Sequence, residues 1–539
     1  MTNNTIPPVK TVEGSVQGML VDDVVAYKGI PYAAPPTGAL RWKPPAAVKT
    51  WGDKTLQPNE RTPSALQNRQ TCIEVGGGDP DPMNEDCLYL NVWTPQPKKD
   101  APKLPVMVWI HGGAYIIGAG KLPVYHGAPL VKRGAILVTF NYRLGALGFF
   151  AHAALDKETT ADTRVNNFGL LDQIAALEWV QRNIAEFGGD PDNVTIFGQS
   201  AGARSVLALF ASPLVKDREK PLFHRGIAQS VYRSPEAPRE KALERGAQLA
   251  KVLLKLADGA TATAEQLRGI DALELMNVDS TPLHPDDLKG TANSPVAISG
   301  DIVLPSPVID SFVAGTVSAL PLIIGNTSDD GSTVIDQLKD RDPGQIVDLA
   351  VLSTQVKYPK RYYPDLATQE SPVIRNELGR RLARDAFFTV TTHKLAEAHG
   401  PRASTWRYYF DYTAENLRPD VPNGTRHGDD VNFTMNTLDA FPPFPPGKPQ
   451  EPVPIVAKDR EVADRTSELW FKFASTGTPA PATEWPLHTA TADKTLLLGE
   501  SVSVATDFMQ QHVESAEFEN MDAFNRIGTA MDKVMAGLG

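Results

Sequence analysis

The sequence has no apolar run of about 18 residues, so no segment is expected to cross a bilayer as a helix. It has no basic block: 53 Lys and Arg are interspersed among 64 Asp and Glu, for a net charge of −11. That balance argues against nucleic acid or an anionic membrane surface as a partner. There is no repeat, heptad or low-complexity tract. The first residues, MTNNTIPPVK, are polar and lack an apolar h-region, so no signal peptide is expected in the chain as it begins here; one removed beforehand is compatible with this start. Cysteine is nearly absent. Cys72 and Cys87 bracket a Gly/Asp/Pro-rich stretch, residues 73–86. They are either a disulfide, constraining the unfolded chain by about 3 kcal/mol in the loop-entropy model, or two reduced, partly buried thiols. The disulfide is the expectation, because a loop with a cysteine at each end suits a staple. With it goes an oxidising compartment, periplasmic or secreted, with a cytoplasmic location as the alternative.

What is present is ordinary globular composition, 42% hydrophobic and 22% charged over 539 residues. The runs LPVMVWI (104–110) and GAILVTF (134–140) are continuously apolar, as parallel strands buried on both faces should be. Leu171, Ile174, Leu177, Val180, Ile184 and Phe187 follow the helical period, and Gly188-Gly189 ends that helix. DPDN (190–193) predicts a turn and VTIF (194–197) the next strand; LPLIIGN (320–326) and STWRYYFDY (404–412) predict two more. Strand–helix–strand order predicts an α/β fold: a large, mostly parallel central sheet flanked by helices, over residues 1–539 as a single domain. Residues 231–300 and 332–400 are helical and charged without a strand rhythm, and are expected to be insertions forming a cap over the sheet. The stretch FPPFPPGKPQEPVP (441–454) is expected to be a surface loop.

The strand VTIF runs into Gly198-Gln199-Ser200-Ala201-Gly202 and then the small-residue helix start Ala203-Arg204-Ser205. Gly-x-Ser-x-Gly alone arises by chance in about one chain in five of this length. A strand before it and a helix after it convert the match into a nucleophile elbow, in which a tight turn exposes the serine and flanking side chains would clash. Ser200 is therefore the candidate nucleophile. A serine hydroxyl needs a base oriented by a carboxylate, and on this fold both follow it in the chain, acid first. His427, in the Gly-flanked NGTRHGDD, is the candidate base. The acid lies in GNTSDDGS after the strand at 320–326, where Asp330 is preferred and Asp329 is hard to separate from it on spacing. Donors for a developing oxyanion would be the Ala201 N–H and amides of HGGAY (111–115), which directly follows a strand.

Longer stretches carry a family resemblance: YKGIPYAAPPTGALRWKPP (27–45), NEDCLYLNVWTP (84–95), VMVWIHGGAY (106–115), NYRLGALGFF (141–150), NFGLLDQIAALEWVQRNIAEFGGDPDNVTIFGQSAG (167–202), HGDD (427–430) and ELWFKFASTGTP (468–479). The chain resembles the type-B carboxylesterases, the family of cholinesterases and para-nitrobenzyl esterases, which have the α/β-hydrolase fold. The resemblance implies a serine ester hydrolase with Ser200, Asp330 and His427 as triad and the amides of Gly113, Ala114 and Ala201 as oxyanion hole. It implies Ser230 and Gln199 beside the triad, a Cys72–Cys87 disulfide, a buried Arg41–Glu85 ion pair, and no metal or organic cofactor. Its implied partner is a small-molecule ester; an inactive adhesion-type relative, or an amidase or thioesterase on the same fold, is the alternative.

Four residues depart from the family pattern: an aspartate as acid, Ala114 for a third glycine, Gln199 for an acidic neighbour of the nucleophile, and Val231 for a glycine. Gln199 argues against a choline ester. Two arginines are unusual, Arg204 one helical turn after Ser200 and Arg426 immediately before His427. A buried guanidinium needs an anion. The partner is either a protein carboxylate, such as Asp329, Asp429 or Asp430, or a carboxylate on the substrate, for which esters of polycarboxylic acids such as the tricarballylate arms of fumonisin-type toxins would fit.

Overall fold

The computed structural model describes residues 6–75, 77–98, 101–233, 236–280, 297–335, 361–368, 371–440, 454–489 and 491–513. Among these, an eleven-stranded sheet organises the chain. Its strands, in chain order, are β1 (Met19–Val21), β2 (Val24–Pro31), β3 (Tyr89–Thr94), β4 (Leu104–Ile110), β5 (Ile136–Phe140), β6 (Gly189–Gln199), β7 (Arg225–Gln229), β8 (Leu322–Thr327), β9 (Thr405–Phe410), β10 (Lys494–Leu498) and β11 (Val502–Thr506). Across the sheet they lie in the order 1-2-3-5-4-6-7-8-9-10-11. The pairs from β5 to β10 are parallel, and the outer pairs are antiparallel. This is the α/β-hydrolase arrangement expected from the sequence.

The continuous apolar runs are explained by what covers each face. On β4, Val106, Val108 and Ile110 join one core cluster and Met107 and Trp109 the other, as the two-residue period of a strand requires. The first cluster takes in Ile174, Leu177 and Val180 of α1 (Phe168–Asn183) and Val206 and Phe210 of α2 (Ala201–Ala211). The second takes in Trp470 and Phe473 of the long helix Ala457–Thr476. A strand buried on both sides cannot alternate polar and apolar residues without leaving polar groups dry.

Three expectations are modified. Residues 190–193, predicted as a turn before the strand, lie within β6, because Leu104 already pairs with Gly189. Val106 then pairs with Val194, so the register shifts between them. The Asp190 side chain accepts the Asp192 N–H at 3.0 Å, so the turn signal is expressed as an irregularity inside a strand. Second, Cys72 and Cys87 are free and buried, not a disulfide. Cys87 belongs to the first core cluster and Cys72 to the second, so each thiol packs as a small hydrophobe on a different face. Burial pushes the Cys72 thiol up to about 11 and that of Cys87 well above its usual value. Without the disulfide, the argument for an oxidising compartment loses its ground. Third, the span 231–300 contains a short two-stranded sheet, Ala237–Pro238 with Ile298–Ser299, beside its helices. Parts of both helical spans, and most of the proline-rich stretch 441–454, fall outside the described residues. No described helix is long and apolar enough to cross a membrane.

Candidate active site

The backbone places Ser200. It sits between β6 and α2 at φ 58° and ψ −122°, a conformation that non-glycine residues rarely adopt. Two hydrogen bonds hold it there: Ser200 N–H to the Gln229 carbonyl of β7 at 2.9 Å, and Arg204 N–H to the Ser200 carbonyl at 3.0 Å. The flanking glycines are required by packing as well as by the turn. A Cβ on Gly202 would stand 2.0 Å from the Ile110 carbonyl, and one on Gly198 2.6 Å from the same oxygen. Both strands and the helix thus approach more closely than any side chain allows.

Side chains bring an imidazole and a carboxylate to it. His427 Nε2 lies 2.8 Å from Ser200 Oγ, and His427 Nδ1 lies 2.7 Å from Asp330 Oδ1. Asp330 is fully buried, and its other oxygen accepts Thr327 N–H at 2.7 Å and Ser230 Oγ–H at 3.0 Å. His427 N–H donates to Ser332 Oγ at 3.1 Å. Asp329, the other acid candidate, is turned to Arg380 at 2.7 Å, while its backbone bridges to Arg426. The two aspartates that spacing left open are therefore separated by geometry. A hydroxyl, an imidazole and a carboxylate in one hydrogen-bonded line can move a proton off the hydroxyl as it attacks.

The loop after β4 completes the cleft. Gly112 packs against the elbow, with room for no Cβ: one would stand 2.7 Å from the Gln199 carbonyl. Gly113 has φ +102°, and both Ala114 and Tyr115 have positive φ without being glycine. Gly113 is half-buried and Ala114 exposed, so this part of the loop reaches the surface next to the elbow. Tyr115 points inward instead and meets Ser205 Oγ at 3.3 Å.

The remaining expected residues are also in reach. The Gln199 amide Nε2 lies 3.1 Å from His427 Nε2, next to the bond to Ser200. Val231 is buried beside Ser230. Arg41 and Glu85 form the expected ion pair, Nη2 to Oε2 at 2.7 Å. Arg204 is 5% exposed, pairs with Glu236 through Nη2 at 2.7 Å, and lies over the Tyr232 ring. Its partner is a protein carboxylate, but none of the three named from sequence. The Tyr232 hydroxyl also accepts from this guanidinium, so Arg204 is shared between Glu236 and Tyr232. Arg426 pairs with Asp429, one of those three, at 2.9 Å.

Sequence reasoning missed three contributors: Thr327 and Ser332, which flank the acid, and Phe388, whose ring lies 5.1 Å from that of His427. Thr327 and Ser332 stand three residues before Asp330 and two after it, so they were within reach of a turn analysis. Phe388 carries no local signal. Asp430, in HGDD, is fully buried and accepts from Gln229 Nε2 at 3.0 Å and Tyr408 OH at 3.2 Å. Burial, reinforced by neighbouring Asp330, pushes its carboxyl up to about 7. No cluster of His, Cys, Asp and Glu suited to a metal ion occurs among the described residues.

Sheet order, elbow and hydrogen-bonded Ser–His–Asp line define an α/β-hydrolase with a serine at its elbow. Comparison with known proteins resolves this further. The model of the carboxylesterase family matches residues 5–516. Fumonisin B1 esterase of Sphingopyxis macrogoltabida is 33% identical over 494 residues, 88% of this chain and 83% of that protein. Para-nitrobenzyl esterase of Bacillus subtilis (strain 168) is 31% identical over 512 residues, 93% of this chain and 96% of that protein. A solved thermophilic PNB esterase superposes with a TM-score of 0.77 at 30% identity, covering 95% of this chain and 99% of that one. The chain belongs to the carboxylesterase family and is a serine carboxylester hydrolase.

Proposed function

We propose that the protein hydrolyses small-molecule carboxylic esters through an acyl-enzyme on Ser200. The observation that carries this reading is the unbroken line from Ser200 Oγ through His427 to Asp330, at 2.8 and 2.7 Å. With the His427 proton on Nδ1 and donated to Asp330, Nε2 is the acceptor, with Ser200 Oγ at 2.8 Å and the Gln199 amide at 3.1 Å as its neighbours, and it takes the serine proton. Ser200 Oγ attacks the ester carbonyl as Nε2 takes that proton. The tetrahedral oxyanion is received by the amides of Gly113, Ala114 and Ala201. Collapse expels the alcohol, which takes the proton from His427; water then repeats the sequence on the acyl-enzyme and releases the acid. The described helices of the spans 231–300 and 332–400, among them Arg239–Leu253 and Pro372–Arg384, serve as the cap that shapes entry to this site. Stopped-flow mixing with p-nitrophenyl acetate tests the reading. A p-nitrophenol burst equal to the enzyme concentration is expected, and a burst surviving in Ser200→Ala overturns it.

On substrate class, a guanidinium one helical turn behind the nucleophile supports esters whose acyl part carries a carboxylate, with Arg204 exchanging part of its contact with Glu236 and Tyr232 for the substrate. The similarity to an enzyme named for fumonisin B1 agrees with this. Arg204→Met and Arg426→Met, assayed on neutral and carboxylated esters, test it. The ratio of kcat/KM between the two substrates shifts toward the neutral ester in at least one variant, whereas an unchanged ratio in both removes the proposal.

A further inference from the structure

Two hydrogen bonds fix where the nitrogens of His427 point, and they leave the tilt of the ring plane to packing. That packing comes from Phe388, 1% exposed, whose ring meets the imidazole at 5.1 Å and 52°. Phe388 stands in a π-helical turn, Asp385–Thr389, between α3 (Pro372–Arg384) and α4 (Val390–His399). A π turn inside a helix is rare, and such turns occur frequently at functional sites.

This turn is anchored on all sides. The carboxyl of Asp385 is fully buried and accepts from Arg384 Nη2 at 2.8 Å, Tyr363 OH at 2.5 Å and His512 Nδ1 at 3.2 Å. The Phe387 carbonyl accepts Arg233 N–H at 2.8 Å, three residues beyond the Ser230 that holds Asp330. Thr389 Oγ1 meets Asn326 Nδ2 at 3.4 Å, and Asn326 belongs to β8, the strand that leads to Asp330. The turn is therefore registered against the two segments that position the acid, and against the segment carrying His512.

We infer that the π-helical turn Asp385–Thr389 is a positioning element for the general base, pressing Phe388 onto His427 so that Nε2 stays aimed at Ser200. This rests on the assignment of His427 as base. The contact also strengthens as the reaction proceeds. The ring centroids lie within the roughly 6 Å over which an aromatic face attracts a cation. The cation is the imidazolium, which exists only once Ser200 has given up its proton. A contact of that kind acts on kcat rather than on substrate binding.

The test replaces Phe388 by Leu, which keeps apolar bulk and loses the flat ring. Phe312→Leu, at an equally buried phenylalanine packed against Phe210 and His399, controls for general destabilisation. Phe388→Leu is expected to lower kcat for p-nitrophenyl acetate by about 10- to 100-fold with KM changed by no more than about twofold. The low-field proton resonance of His427 Nδ1–H should broaden in the same variant. Asp385→Asn, which reaches His427 only through the turn, should lower kcat less, again at constant KM. Equal kcat losses in Phe388→Leu and Phe312→Leu overturn the inference. So does a raised KM at constant kcat, which makes Phe388 a substrate contact. His427→Ala run in parallel separates the two claims: if it keeps wild-type kcat, the base assignment has failed, not the role of the turn.

Discussion

Ser200 stands where three backbone segments meet, β6, α2 and the loop after β4, whereas His427 and Asp330 are joined by side chains drawn from distant stretches. On the serine side, the distances that matter are between main-chain atoms: Gly202 and Gly198 against the Ile110 carbonyl, Ser200 N–H on Gln229. On the histidine side they run through Ser230, Ser332, Gln199 and Phe388. Backbone placement tolerates almost no added atom. Side-chain placement tolerates more change and tunes the chemistry instead. The difference predicts which kind of damage each side suffers.

The largest effect is expected on the histidine side, without loss of fold. Asp330→Asn keeps the shape and removes the charge that sets the His427 tautomer, so kcat should fall by about 10⁴-fold at nearly constant KM. Steady-state kinetics on a variant whose melting temperature matches wild type checks this; a fall of tenfold or less, in order of magnitude, would break the comparison. On the serine side, Gly202→Ala forces a methyl into the 2.0 Å gap before the Ile110 carbonyl. A loss of about 3 kcal/mol of stability is expected by denaturant titration, with activity lost alongside it because the elbow moves. A stable but inactive Gly202→Ala would show that the elbow can deform locally.

The smallest effect is pH-dependent. Asp430 is fully buried three residues after His427, and its carboxyl is pushed up to about 7 by burial. Between the ordinary carboxylate range and about 7, the native protein holds a proton that the unfolded chain has released. This group therefore supports the fold in acid, and that support is lost as pH rises through about 7. Asn mimics the neutral acid at every pH. The stability of Asp430→Asn relative to wild type should thus rise between about pH 5 and 8, by on the order of 2 kcal/mol. A pH-independent difference contradicts the assignment.

The same division explains what was legible in the sequence. The serine side announces itself locally, because a strand, two glycines and a small-residue helix start are contiguous. β4 reads directly, since burial on both faces leaves a continuous apolar run. His427 and the aspartate pair are visible by chain order, but choosing Asp330 needed the family resemblance, and its supports lie apart. Arg204 shows the limit: its need for an anion follows from burial, yet Glu236 lies 32 residues on, in a segment without pattern. Phe388 reaches His427 only because a helix takes a π turn, which residue type does not encode. The cysteine pair misled because the residues between the thiols do not reveal that the two ends enter different cores. DPDN misled because a strand can absorb a turn as a register shift.

The central claim is that Ser200 carries the acyl group, and it can be observed directly. The enzyme, turning over p-nitrophenyl acetate, is quenched in acid, digested, and its peptides read by mass spectrometry. An acetyl group on Ser200, and its disappearance when deacylation runs to completion before the quench, is the predicted result. Acetyl on another residue, or turnover with Ser200 unmodified under conditions that trap the burst, would contradict the account.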